Sequence, residues 1–242
     1  METPPVGPAV TAPGAWCRLG PSPTALAIRL DGLQARDADS LDALLDQLPE
    51  PPWDVEVDAD DQTLIGLLRA RGFEEYLRAS LYVRSAEGLA AARVPGIEVV
   101  RYENAWAPAL TAAEAEAMQG LAAFAELGSP SGYEWGEGQG SFRIARTLDG
   151  RLVGFAHANL PDGVIDWLGV VPERRRSGIG RLLVGNVARD VSEARGTHLL
   201  AFAQDGTDGG PFLARLGFAV RGRRISLILR AAGQSPAAPP AS

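Results

Sequence analysis

The chain predicts a mixed α/β fold, a mostly antiparallel twisted sheet flanked by helices. Three observations carry that expectation. Strand-like runs and amphipathic stretches alternate in the second half in the order β-α-β-β-β-α-β-α-β. Asp149-Gly150 sits between two alternating runs, which is a strong hairpin signal and makes that part of the sheet antiparallel. A strand–helix–Gly-Phe–strand pattern also occurs twice, which points to a duplicated unit. Hydrophobic residues make up 46% and charged residues 22% of the 242 residues, ample for a core.

In order along the chain, residues 1–14 (METPPVGPAVTAPG) are rich in Pro, Ala and Gly and read as a disordered end. Residues 24–30 read as a strand. Residues 39–48 read as a helix, with Asp39 or Ser40 as N-cap and Leu41, Leu44, Leu45 and Leu48 on one face. Residues 53–57 form a strand, 63–71 a helix stopped by Gly72, and 76–84 a strand. A boundary falls at 92–96. The second half opens with a strand at 97–101, then a helical stretch over 107–127, interrupted near Gly120. A Gly-rich loop spans 128–140. Strands follow at 141–147, 152–159 and 164–170. Residues 181–195 form an amphipathic helix with Leu182, Leu183, Val187, Val191 and Ala194 inward. A strand at 198–203, a short helix at 210–216 and a strand at 223–230 complete the fold. The tail 231–242 reads as disordered.

The repeat is legible residue by residue. With an offset of 145, Asp60 falls on Asp205, Leu68 on Leu213, Gly72 on Gly217 and Phe73 on Phe218. One residue of slip then pairs Ser80-Leu81-Tyr82-Val83-Arg84 with Ser226-Leu227-Ile228-Leu229-Arg230.

Charge divides the halves and excludes several functions. The net charge is -7, and all 23 basic residues are Arg. A chain with no Lys has no Walker-type phosphate-loop lysine and no Schiff-base lysine. Residues 1–95 hold 8 Arg and 15 acidic residues, whereas 96–242 hold 15 of each. That balance argues against nucleic acid, which needs a basic face. One cysteine, Cys17, and two histidines, His157 and His198, argue against a zinc site or disulfide framework. Cys17 reads as a buried small residue. No secretory leader pattern and no membrane-length apolar run is present, so a cytoplasmic location without membrane contact is expected.

The stretch 164–183, VIDWLGVVPERRRSGIGRLL, carries the chemistry. A strand ends at Val170, Pro172 stops it, and Arg174, Arg175 and Arg176 lead into Ser177-Gly178-Ile179-Gly180 and a helix. Glycines admit positive φ and close backbone approach. The first amides of a helix lack internal partners and form the positive dipole end. Together with guanidinium groups they describe a pyrophosphate cradle. A solvated basic turn with a plain N-cap is the other reading. The loop is not a dinucleotide-binding one, since Leu183 stands where the third glycine would be.

The spacing Val170-x-Pro172-x-x-Arg175-x-x-Gly178-x-Gly180 resembles the acyl-CoA loop of the GNAT superfamily of N-acyltransferases. Phe212-Leu213-Ala214-Arg215-Leu216-Gly217-Phe218 is similar to that family's second signature. The resemblance covers roughly residues 96–230. It implies the acyl-CoA N-acyltransferase fold, as a tandem with a truncated first copy: 15–92 a non-catalytic lobe, 96–230 the catalytic domain. It implies a V-shaped opening between strands 164–170 and 198–203 that takes acetyl-CoA. Backbone groups of Leu168 and Val170 would pair with the pantetheine arm. Amides of Arg175, Arg176, Ser177, Gly178, Ile179 and Gly180 would hold the pyrophosphate, with Arg176 and Arg181 as phosphate contacts. No metal is expected.

The implied reaction is direct attack of an amine on the thioester, which requires a base. Asp166, four residues before Val170, is one candidate, and alternation places it on the face of Leu168 and Val170. His157 is the rival base. The family's leaving-group tyrosine falls at Leu213, so either the thiolate leaves without it, another donor such as Tyr133 or Ser226 substitutes, or catalysis is weak. The family's Asn after strand 198–203 is also missing, with Asp205-Gly206 there. The loop 128–140 carries Tyr133, Glu134, Trp135 and Glu137, which would attract a cationic amine. Expected partners are a small-molecule amine or a peptide acceptor, with a homodimer possible for the family. Loss of catalysis, leaving an acyl-CoA-binding regulatory or scaffold protein, is the alternative that Leu213 motivates.

Overall fold

The computed structural model describes residues 8–21, 27–90, 92–118 and 140–231. They form two compact units. The first holds residues up to 80 together with those from 222 onward, and the second lies within 81–221.

In the first unit the strands β1 (Ala9–Ala12), β2 (Ala15–Pro21), β3 (Ile28–Ala35), β4 (Trp53–Asp58), β5 (Glu74–Ser85) and β11 (Ala219–Leu229) follow the order β1-β2-β3-β4-β11-β5. β3 and β4 run parallel, while β1–β2, β2–β3 and β4–β11 are antiparallel. Helices α1 (Ala38–Leu45) and α2 (Gln62–Arg69) supply Leu41, Leu44, Ile65 and Leu68 to a core that also buries Cys17, Val55 and Leu227. Two expectations are corrected here. Residues 9–12 are not a disordered end: they pair in register with 15–18 across Gly14, whose φ of 81° suits a tight turn that L side chains rarely adopt. The N-cap of α1 is Asp37, not Asp39 or Ser40. Its carboxylate accepts from the Ser40 amide at 2.9 Å, and the Ser40 hydroxyl accepts from the Asp37 amide at 3.0 Å. That reciprocal pair satisfies two orphan donors at once.

The second unit contains β6 (Ile97–Arg101), α3 (Ala107–Ala117), β7 (Gly140–Thr147), β8 (Leu152–Asn159), β9 (Val164–Val170), α4 (Ile179–Glu193), β10 (His198–Gln204) and α5 (Gly209–Arg215). Its strand order is β5-β10-β9-β8-β7-β6. β6 to β9 form an antiparallel meander, and β9 runs parallel to β10, with α4 as the crossover. The Asp149-Gly150 turn is present, with Gly150 at φ 90°. Of the helical stretch expected over 107–127, 107–117 is helix; 119–127 and the loop 128–139 lie outside the described residues.

α4 packs its apolar face, including Leu183, Val187 and Val191, onto the sheet face that carries Ala156, Ala158 and Leu199. It is also locked to β7 by a buried polar triad. Asp190 accepts from Arg143 Nε at 2.6 Å, from Arg143 Nη2 and from the Ser141 hydroxyl. Burial opposes the Asp190 charge, yet the hydrogen bonds from Arg143 and Ser141 outweigh it and hold the carboxyl below its ordinary range.

The sequence repeat is a structural repeat. Phe73 N donates to Leu68 O at 3.2 Å, and Phe218 N donates to Leu213 O at 3.1 Å. Gly72 and Gly217 stand at φ 83° and 84°, each between a buried leucine and a buried phenylalanine. The same αL stop closes α2 and α5. The two strands that follow these stops run through both units: residues 74–80 of β5 belong to the first and 81–85 to the second, whereas 222–229 of β11 pair β4 in the first.

Candidate functional site

The site is built where β9 leaves β10. The parallel ladder joins Val164 to Leu200 and Ile165 to Ala201, and the described pairing goes no further. From Asp166 to Val170 the β9 edge that faces β10 has no described ladder partner, an opening in the sheet. Switch-point crevices of this kind open at the carboxyl ends of parallel strands.

A β-bulge sits at the opening. Facing β8, Trp167 pairs with His157 and Ile165 with Ala158, so Asp166 is the extra residue. A bulge re-aims a side chain, and here it overturns the face expected for Asp166. Ser141 and Arg143 of β7 reach Asp190 on α4, so Phe142 between them points to the other face. Phe142 pairs with His157, and their rings meet edge-on at 5.5 Å and 84°. Asp166 Oδ1 lies 2.6 Å from His157 Nδ1, which puts the carboxylate on that same face, away from α4. Leu168 and Val170 pair with Ala156 and Gly154, and a Cβ at 154 would meet Ile179 and Leu183 of α4 at 3.2 and 3.1 Å. Asp166 thus lies on the opposite face from Leu168 and Val170.

The two rival bases are brought together as a dyad. His157 is 3% exposed, while the Asp166 side chain keeps 32% of its surface. Asn159 Nδ2 donates to Asp166 Oδ2 at 3.2 Å, so each carboxylate oxygen has a donor. On β10, alternation from Ala201 places Phe202 on the Asp166 face, with 45% of it exposed.

The loop after β9 has the shape a phosphate needs. Pro172–Arg174 form a single 3-10 turn. Arg176 at φ 60° and Gly178 at φ 90° are both left-handed, the backbone alternation that turns successive amides into a concave nest. Gly178 is the N-cap of α4, and the first intrahelical bond is Leu182 N to Gly178 O at 3.0 Å. The amides of Ile179, Gly180 and Arg181 precede it and are the helix's orphan donors. Arg176, Ser177 and Arg181 are exposed. Arg175 is engaged otherwise. Its amide donates to Pro172 O, and its guanidinium donates to Val170 O at 3.2 Å and Ala117 O at 2.9 Å, bracing the strand end and the end of α3. Gly180 is closely packed: a Cβ there would lie 3.0 Å from the Phe212 ring of α5, so that ring would have to shift slightly to admit it.

Leu213 is buried and apolar, with no proton to give. Of the donors expected to replace the tyrosine, Tyr133 lies outside the described residues, as do Glu134, Trp135 and Glu137. Ser226 sits on β11 in the first unit, opposite Glu56, where it hydrogen-bonds Tyr76. Sequence reasoning missed Asn159 and Phe202. Asn159 stands two residues after His157 on one strand, a same-face spacing that was available as a signal; the bulge that brings Asp166 to it was not.

Residues 106–218 match the Acetyltransferase (GNAT) family. No curated protein matches the chain. Among solved structures, a GCN5-related N-acetyltransferase from Kribbella flavida has TM-score 0.64 at 18% identity, covering 95% of this chain and 91% of its own. One from Sphaerobacter thermophilus has TM-score 0.62 at 18% identity, with coverages of 89% and 76%. A tandem GNAT protein from the clavulanic acid biosynthesis pathway has TM-score 0.60 at 16% identity, with coverages of 96% and 86%. At such identities the likeness shows the fold. The mixed sheet, the strand gap and the loop at the helix start define an acyltransferase-type domain. The domain spanning residues 106–218 belongs to the GNAT acetyltransferase family. Among the described residues no helix is long and apolar enough to cross a membrane, and no cluster of metal-binding side chains occurs.

Proposed function

We propose that the chain is an N-acetyltransferase that moves the acetyl group of acetyl-CoA directly to a primary amine of a small molecule or peptide. The observation that carries this reading is the left-handed loop at Arg176 and Gly178, set at the start of α4 and directly after the strand whose described pairing with β10 ends at Ile165. In this reading the amides from Arg176 to Arg181 hold the pyrophosphate, and the Arg176 and Arg181 guanidinium groups add charge. Leu168 and Val170, on the α4 face, line the path of the pantetheine arm. Acetyl-CoA supplies an activated acyl group as a thioester. Asp166 faces the gap from the other side, so donor and acceptor meet through it. The acceptor amine attacks in its neutral form and gives an N–H proton to an Asp166 oxygen as the N–C bond forms. Exposed Phe202 offers an apolar wall to the group that carries the amine. Residues 96–230 hold this machinery, and 15–92 form a truncated, non-catalytic copy, a division supported by the matched helix stops and by the lack of any comparable loop in 31–40. Cytoplasmic action is part of the reading.

Calorimetric titration of acetyl-CoA, paired with thiol release across a panel of amines, tests it. Saturable binding with turnover on at least one amine is expected, and Gly178→Val should abolish binding. Retained affinity in that variant overturns the loop assignment. Binding without turnover on any amine favours an acyl-CoA-binding regulatory protein, the reading that buried Leu213 supports.

A further inference from the structure

We propose that Asp166 alone takes the acceptor's proton, and that His157 and Asn159 are positioning residues that clamp its carboxylate across the bulge. The inference rests on the acyl-transfer reading above and divides the roles of the two residues that sequence reasoning left as rivals.

Geometry separates them. Asp166 is the dyad's outward member, with 32% of its side chain exposed, whereas His157 is 3% exposed. Only one ring nitrogen of His157 meets Asp166, and the other is closed off. A Cβ at Gly140 would overlap Nε2, so the backbone of β7 lies against that edge of the ring. The ring plane is fixed by the edge-on contact with Phe142, which Tyr102 backs by stacking at 4.7 Å. Toward a carboxylate, which only accepts, Nδ1 must be the nitrogen that carries hydrogen. His157 therefore donates to Asp166 through Nδ1 and has no open nitrogen with which to receive a substrate proton.

The clamp is two-sided. His157 Nδ1 holds Oδ1 at 2.6 Å and Asn159 Nδ2 holds Oδ2 at 3.2 Å. Both donors come from one face of β8, two residues apart, which is the spacing of same-side neighbours on a strand. A bulged residue lacks a ladder partner to fix its direction, and the two donors supply that direction. Each oxygen keeps further lone pairs for the acceptor's N–H. In the transfer itself the amine N–H bond breaks toward an Asp166 oxygen while the N–C bond forms. The C–S pair leaves with sulfur. Asp166 is neutral at the end of the step and returns its proton to solvent through its exposed side. Holding the oxygen in line with the attacking nitrogen is the orientation effect that positioning supplies.

Side-chain isosteres test the assignment. An asparagine amide at 157 can occupy the place of Nδ1, and a glutamine amide reaches toward that of Nε2. His157→Asn, His157→Gln, His157→Ala, Asn159→Ala and Asp166→Asn are compared with acetyl-CoA and the most active amine of the panel, with melting temperature measured for each. Asp166→Asn should lose about 100-fold or more in kcat, the lower range for a positioned base. His157→Asn should stay within about 5-fold of the parent, while His157→Gln and His157→Ala fall about 10- to 100-fold, within the span a misplaced group costs. KM for acetyl-CoA should be unchanged throughout. A folded His157→Asn as inactive as His157→Ala overturns the proposal and makes His157 the base. A second measurement needs no turnover: imidazole nitrogen NMR, simplified because the chain has only His157 and His198. It should show His157 protonated at Nδ1, with that signal altered by Asp166→Asn; protonation at Nε2 alone overturns the clamp. Failure of acetyl-CoA to bind the parent chain sinks the acyl-transfer reading and leaves the NMR result to judge the clamp.

Discussion

Replacing Asp190 by alanine strikes the one place where α4 is tied to β7 by charge. Three donors lose their acceptor at once: Arg143 Nε, Arg143 Nη2 and the Ser141 hydroxyl. The Arg143 side chain is 10% exposed, so its guanidinium has little access to compensating water. Breaking a buried pair by removing one partner costs about 3–5 kcal/mol, because the remaining charge stays buried. With a urea m-value of about 2 kcal/mol/M, the transition midpoint should fall by about 1.5–2.5 M. Urea titration followed by circular dichroism measures this, and hydrogen exchange of α4 and β7 amides places it in the second unit. The pH sign follows from the depressed Asp190 carboxyl: its contribution is complete above the unfolded value near 4 and is lost as pH falls through the lower folded value. At pH 7 the whole effect should appear. The apolar double variant Arg143→Met with Asp190→Leu should recover most of the loss, since a well-packed apolar replacement removes both desolvated charges. A single-variant cost below about 1 kcal/mol, or a double variant as unstable as the single, refutes the claim that an uncompensated guanidinium sets the penalty.

Three further outcomes are expected. Burial, with Asp31 adding, pushes the Cys17 thiol up to about 11, so at pH 8 an aromatic disulfide reagent should leave it unmodified until guanidinium unfolds the first unit; rapid native-state labelling would contradict its place in the core. The Ser40 amide, then the Ser40 hydroxyl and Arg36, hold Asp37 at about 2. The stabilisation it gives α1 should therefore be lost between pH 4 and pH 2, and Asp37→Ala should flatten that part of the midpoint-against-pH curve. Gly180→Ala should weaken acetyl-CoA binding through the Phe212 ring, and adding Phe212→Leu should restore it; calorimetry that finds no restoration would mean Gly180 matters for approach to the ligand instead.

What the sequence made legible followed local periodicity. The strands at 97–101, 152–159 and 164–170 stand where alternation placed them, because each has bulky apolar residues and clear turn chemistry at its ends. The Gly-Phe stops of both helices were readable for the same reason: only a left-handed residue ends a helix in that way. β1 and β2 were not readable, since their Ala- and Gly-rich stretch has no apolar alternation and is held by pairing across Gly14. Asp166 shows the limit most directly. Its identity as a candidate was plain, but period-two counting assigned it to the wrong face, because a bulge is a property of two strands in register and leaves no mark on one. The partner of β11 was hidden likewise, as Arg224–Leu229 meet Trp53–Asp58 across most of the chain's length.

That last pairing has a consequence for the order in which the chain can be completed during synthesis. A chain emerging from the ribosome offers β4 its parallel neighbour β3 early, but the other edge of β4 stays open until residues 224–229 have been made. The unit that is translated first is therefore finished last, and for most of translation it carries an uncovered strand edge of the kind that invites wrong partners. Cutting the gene at 92–96 would make that transient exposure permanent in the first fragment and would strip the second of residues 81–85 of β5, the strand beside β10.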